Sequence, residues 1–223
     1  NVVTVKDVQQ VAWLARLALA EAEAGTLTSQ LDDILNYVRQ LQAIPTDTVY
    51  GLAADPFQPE AVQRLLRLKQ RLDSKPILLL IESLRQAELL SSRFPAAFER
   101  LAARFWPGPL TVVLPAAPAV PEAITAGTGT VAVRVPGTVL TREIIRAARV
   151  PLTGTSANIS GRPAAESAAQ VREQFPSGLA LIVDGGPAAG GAASTIVDLT
   201  GEPRILREGR IPAAEILCLC QGG

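Results

Sequence analysis

Three segments of this chain concentrate small hydroxyls beside glycine or asparagine, and basic residues lie between them. Pro45-Thr46-Asp47-Thr48-Val49-Tyr50-Gly51-Leu52 carries two threonines, a carboxylate, a phenol and a glycine. Thr153-Gly154-Thr155-Ser156-Ala157-Asn158-Ile159-Ser160-Gly161 and Gly190–Thr195 have the same character. Such segments read either as turns whose hydroxyls satisfy their own backbone or as ligand loops. The candidate cations are Lys69, Arg71, Lys75, Arg134, Arg162, Arg204, Arg207 and Arg210. Hydroxyls and amides ringed by cations suit a polyphosphate. One charge pair at 4 Å contributes about 4 kcal/mol at an effective dielectric near 20. A triphosphate therefore needs several converging cations, usually with Mg²⁺. No Walker A run is present, which excludes an ordinary P-loop. Asp47 reads as a cap of its own turn in preference to a Mg²⁺ ligand, and Asp184 reads equally as turn or site.

Composition narrows the chemistry. The 223 residues contain no histidine, which removes Ser-His-Asp and Cys-His catalysis, His-ligated zinc and imidazole acid–base chemistry. The two cysteines, Cys218 and Cys220, are too few for a zinc site and too close for a disulfide, as expected of a reducing compartment. Formal net charge is zero, unlike a dedicated nucleic-acid coat or polybasic membrane binder. No apolar run is long enough to span a bilayer, and residues 11–20 lack a signal-peptide cleavage pattern. The expectation is a cytoplasmic protein with no membrane association.

The elements that must position these groups follow from periodicity. Residues 5–24 and 27–41 each carry apolar positions at helical spacing, with Gly25 between them, and predict a helical hairpin within 1–43. Gln40–Ile44 either ends its second helix or forms a short strand. From residue 44 onward strands and helices alternate without internal repeats, predicting a mixed α/β sheet flanked by helices over 44–223. Helices are expected at Pro59–Arg71, Ser83–Leu90, Pro95–Phe105, Thr138–Ala148 and Glu166–Phe175. Strands are expected at Ile77–Ile81, Leu110–Leu114, Thr130–Val135, Leu179–Asp184, Thr195–Leu199 and Arg204–Leu206. Arg64, Arg67, Lys69 and Arg71 fall toward the end of the first of these helices, where cations complement the helix dipole.

Seven ordered blocks then carry a resemblance: PTDTVYGL, KQRLDSKP, WPGPLTVVLP, VAVRVP, PLTGTSANISGRP, IVDGG and STIVDLTGEPRILREG. Together, from about Ile44 to Ile211, they resemble the YrdC family of threonylcarbamoyl-AMP synthases. That resemblance implies a YrdC/RibB-like twisted mixed sheet with a deep, positively charged cleft. It also implies formation of threonylcarbamoyl-AMP and pyrophosphate from L-threonine, bicarbonate and ATP with Mg²⁺, for tRNA modification by downstream enzymes. At matching motif positions, Thr48, Arg71, Lys75, Ser156, Asn158 and Arg207 would hold ATP. Thr46, Thr130, Arg134, Gly154 and Ser194 would lie around threonine or the reacting phosphate, with Arg71 and Arg134 catalytic and no side chain assigned to a metal. Leu80 stands where some relatives present a histidine toward threonine. Separately, VKDVQQVAWLARLALAEAE and LDDILNYVRQLQ resemble the start of GatC, the small subunit of a tRNA-dependent amidotransferase. The alternatives are therefore a non-catalytic RNA-binding or regulatory module of this fold, or an adaptor for amidotransferase subunits.

Overall fold

The structure is a computed structural model that describes residues 2–4, 40–70 and 75–221. The first half contains β1 (Val2–Thr4), β2 (Gln42–Pro45), β3 (Tyr50–Ala53), α1 (Pro59–Lys69), β4 (Leu79–Leu80), α2 (Leu84–Leu90), α3 (Ala96–Phe105) and β5 (Leu110–Pro115). Then come α4 (Glu122–Thr125), β6 (Thr130–Arg134), α5 (Val139–Ala148), β7 (Leu152–Thr153), β8 (Thr155–Ser156) and α6 (Ala168–Gln174). The chain continues through β9 (Leu181–Asp184), β10 (Thr195–Asp198), β11 (Arg204–Arg207) and α7 (Ala213–Gln221). The mixed α/β class agrees with the sequence, but the strands form two sheets instead of one. One has the order β1-β9-β2-β3-β8 and the other β11-β10-β5-β6-β4-β7. Each combines parallel and antiparallel pairs.

The hairpin expected within 1–43 lies, from residue 5 to 39, outside the described residues. At the two ends of that range are strands: β1 and β2 both run parallel to β9, which lies between them. Residues 42–45 thus resolve the open question in favour of a short strand. It pairs antiparallel with β3, and its last residue, Pro45, lies opposite Tyr50.

Local chemistry explains helices α1 and α3. Proline in the first turn of α1 costs no hydrogen bond, and Glu60 complements the positive end of the dipole. The helix stops where Gln70 turns left-handed, at φ 51°, and donates its N–H back to Arg67 and Leu66 carbonyls. Ala61, Val62, Leu65 and Lys69 form its buried stripe. In α3, Ala97, Phe98, Leu101 and Ala102 face inward, and Phe98 meets Trp106 edge-on at 5.6 Å between ring centroids. Strand β5 is buried on both faces through Leu114, as a central strand between helix layers must be.

Several elements escape hydrophobic periodicity. The continuous run Ile77–Ile81 is a strand only at Leu79–Leu80, although all but Leu78 of its residues are fully buried. Ser83 and Thr138 stand at N-cap positions without accepting a capping hydrogen bond; Ser167 does accept one, from Gln170 N. The tail that carries the cysteines is helix α7, whose Leu219 and Cys220 carbonyls accept from the Arg100 guanidinium. Both thiols are free.

Within the expected loop Thr153–Gly161, β7 pairs with β4 in one sheet and β8 pairs with β3 in the other. Gly154 is the single residue between the two ladders. Thr153 locks the crossing by donating its N–H to Ala54 O at 2.9 Å while its hydroxyl accepts from Ala54 N at 2.9 Å. Gly154 N donates to Leu78 O at 2.7 Å. A Cβ on Gly154 would stand 2.5 Å from Leu80 Cγ, and Leu80 is itself buried. Gly154→Ala is therefore expected to destabilise the fold by about 1–3 kcal/mol through overpacking. In a Leu80→Ala background the same change should cost much less, which thermal unfolding of the four variants would check.

Candidate active site

One cavity of about 970 Å³ lies between the two sheets and collects residues from every hydroxyl-rich segment. Of the residues assigned from the sequence, Thr46, Thr48, Lys75, Arg134, Gly154, Ser156, Asn158, Ser194 and Arg207 line it. Arg71 lies outside the described residues. Thr130 does not line the cavity. It shares a face of β6 with Ala132 and Arg134, which do, but sits four residues before Arg134, roughly 13 Å along a strand. There it is opposite Pro115, with its hydroxyl 2.8 Å from that of Thr128.

The Pro45–Gly51 segment is both a turn and part of the lining. Thr46 closes the turn: its N–H donates to Val49 O at 3.0 Å and its hydroxyl to the same oxygen at 2.6 Å. Its hydroxyl is also 3.2 Å from that of Thr48. Tyr50 anchors the hairpin elsewhere, donating to Gly186 O at 2.7 Å and accepting from Gly185 N at 3.2 Å. Burial raises the phenol's pKa. Asp47 does not cap this turn; its carboxylate contacts Arg134 at 2.5 Å. Asp184 belongs to a turn, accepting from Gly186 N at 3.1 Å, and does not line the cavity.

Each lining cation for which contacts are described is held by oxygen. Lys69, in the last turn of α1, is 4% exposed. Its ammonium donates to Ser156 O at 2.5 Å, Asn158 O at 3.0 Å and Asn158 Oδ1 at 3.1 Å. Ser156 in turn donates to Asn158 Oδ1 at 2.5 Å. Asn158 Nδ2 donates to Arg162 O at 2.6 Å, so the loop after β8 is built around this lysine. The sequence signal was available: Lys69 continues the buried stripe of Val62 and Leu65 at helical spacing, where a cation must have a buried partner.

Arg207 donates Nη2 to Ser194 O at 2.8 Å and to Ser194 Oγ at 3.0 Å, and Ser194 Oγ is 3.0 Å from the Thr111 hydroxyl. Burial, and then the neighbouring Arg134 charge, lowers the Arg207 pKa. Arg134 is 3% exposed and donates Nε to Gly108 O at 2.9 Å. Burial pulls its pKa down, and the charge and contact of Asp47 oppose that. Lys69, Lys75, Arg134 and Arg207 thus face the cavity, and its described lining contains no carboxylate. Among the described residues, no cluster of histidine, cysteine, aspartate and glutamate could hold a metal ion. None of the described helices is long and apolar enough to cross a membrane.

Two mixed sheets closing on a cationic, hydroxyl-lined cavity define an α/β protein whose cavity is electrostatically complementary to an anion. A family model described as "Telomere recombination", that of Sua5, YciO and YrdC, matches residues 39–209. The chain belongs to the Sua5/YciO/YrdC family. It is 44% identical over 178 residues to a Pyrococcus abyssi threonylcarbamoyl-AMP synthase, covering 79% of this chain and 52% of that protein. A Bacillus subtilis threonylcarbamoyl-AMP synthase is 37% identical over 179 residues, with the same shares covered. The chain spans about half the length of these curated relatives. The crystal structure of Pyrococcus abyssi Sua5 complexed with L-threonine superposes with a TM-score of 0.81 at 41% identity. That match covers 85% of this chain and 57% of the other. No GatC-like relationship is supported.

Losing the Lys69 ammonium would take one donor each from Ser156 O and Asn158 Oδ1, which keep another, and the described donor of Asn158 O, a local cost of about 1–3 kcal/mol. Lys69→Met is expected to speed amide exchange across residues 157–160 roughly tenfold, since 1.4 kcal/mol is tenfold in an opening equilibrium. Mass-resolved hydrogen exchange would check it.

Proposed function

We propose that this chain makes threonylcarbamoyl-AMP and pyrophosphate from L-threonine, bicarbonate and ATP. The observation that carries the reading is the convergence of Thr48, Lys75, Ser156, Asn158 and Arg207 with Lys69 and Arg134 on one cavity. Its volume, about 970 Å³, suits a nucleotide with a small co-substrate. Similarity to the two named synthases supports the same reaction, and the threonine complex of Pyrococcus abyssi Sua5 supports the amino acid.

The chemistry asks for placement and charge more than for a nucleophilic side chain. The threonine amine attacks the bicarbonate carbon, and water leaves as the carbamate forms. A carbamate oxygen then attacks the α-phosphorus of ATP, and pyrophosphate departs with the electrons of the broken P–O bond. Holding three reactants together removes much of the entropic barrier, and fixed cations stabilise charge on the equatorial and leaving oxygens. Thr48, Lys75, Ser156, Asn158 and Arg207, with Arg71, hold the nucleotide in this reading. Thr46, Arg134, Gly154 and Ser194 surround threonine and the reacting phosphate. Because the described lining offers hydroxyls without carboxylates, Mg²⁺ belongs to the substrate as counter-ion of the triphosphate. The product, a mixed anhydride, is consumed by an enzyme of tRNA modification in the cytoplasm.

Purified protein with ATP, Mg²⁺, bicarbonate and L-threonine should release pyrophosphate only when threonine is present, with the adenylate detectable by mass. Thr48→Ala and Arg71→Ala are each expected to lower that release at least tenfold, about 1.4 kcal/mol of transition-state stabilisation. Unchanged turnover in both variants would overturn this assignment of the site.

A further inference from the structure

We infer that Asp47 is a positioning residue, whose carboxylate reaches from the β2–β3 turn of one sheet to fix the Arg134 guanidinium at the cavity wall of the other. The inference rests on reading this cavity as the reaction site. Asp47 stands between Thr46 and Thr48, which both line the cavity, yet it is not itself part of the lining. The turn does not need its carboxylate, because Thr46 closes it onto Val49 O and Thr141 Oγ1 donates to Pro45 O from α5. What the carboxylate does contact is Arg134 Nη2, at 2.5 Å, with the two side chains 16% and 4% exposed.

Both Asp47 oxygens and Arg134 Nη2 are buried, and Asp47 acts on the guanidinium by charge and by direct contact. Enclosure comes from Gly137, whose Cβ position would lie 3.2 Å from Asp47 Cβ, Cγ and Oδ2. With Nε on Gly108 O and Nη2 against Asp47, Nη1 is the Arg134 nitrogen left for a ligand. The other charges acting on the pair are cationic: Arg210 depresses the Arg134 pKa, and Arg134 depresses that of Arg207. Asp47 is thus the negative charge that lets a buried guanidinium remain in a cluster of cations. A cation already aimed before substrate arrives acts on charge that develops during reaction, and so on kcat more than on ground-state binding.

The test is a cycle of Asp47→Asn, Arg134→Gln and the double variant, each followed by pyrophosphate-release kinetics and thermal unfolding. Asp47→Asn should lower kcat at least tenfold, change KM for ATP less than threefold and lower Tm, because it strands a buried charge. The double variant should regain much of the lost Tm while its kcat stays at the Arg134→Gln level. A purely structural role would lower Tm in Asp47→Asn and leave kcat near that of wild type. Asp47→Asn with kcat within twofold of wild type would overturn the inference. So would a double variant at least tenfold slower than Arg134→Gln, since Asp47 would then act by another route. A wild-type chain that releases no pyrophosphate with all three substrates would instead overturn the proposed reaction, and the inference with it.

Discussion

Crowding positive charge around one cavity opposes folding, and the architecture is arranged to tolerate it. Two unit charges about 7 Å apart repel by roughly 2 kcal/mol at an effective dielectric near 20. The structure answers with oxygen that is mostly uncharged. Lys69 takes two carbonyls and an amide oxygen of the Ser156–Asn158 loop, and Arg207 takes the carbonyl and hydroxyl of Ser194. Arg134 alone among these takes a carboxylate together with the Gly108 carbonyl. Dipoles satisfy the donors without cancelling the net charge, so the cavity remains complementary to an anion.

The same contacts join distant parts of the chain. Lys69 at the end of α1 organises the loop after β8, and Arg134 at the end of β6 reaches the turn between β2 and β3. Arg207 in β11 fixes the residue just before β10. Each cation therefore belongs both to the cavity wall and to the packing of neighbouring elements. Replacing any of them changes shape as well as charge, so its effects are not additive with those of its neighbours.

Much of this was legible in the sequence, and for definite reasons. The three hydroxyl-rich segments announced themselves by composition, and long amphipathic runs such as α1 and α3 by their period. The partner of Asp47 did not, because Arg134 lies far along the chain and only the folded sheets bring the two together. Strands β7 and β8, two residues each, are shorter than any period can register. Thr130 and Arg134 share a strand face, yet sequence alone does not say how far along that face the cavity extends. Lys69 stood among the candidate cations, but its burial went unread: proximity to a helix end suggested the dipole, while its place on the apolar stripe pointed inward.

The crossing at Gly154 bears on how such a protein can be cut or recombined. The chain visits the first sheet through β3, leaves it for β4 to β7, returns for β8 and β9, and leaves again for β10 and β11. No single breakpoint separates the two ladders: a cut that leaves one whole always divides the other. Chimaeras with relatives would have to exchange both walls together, so the unit of inheritance is the whole two-sheet body and not either half of it.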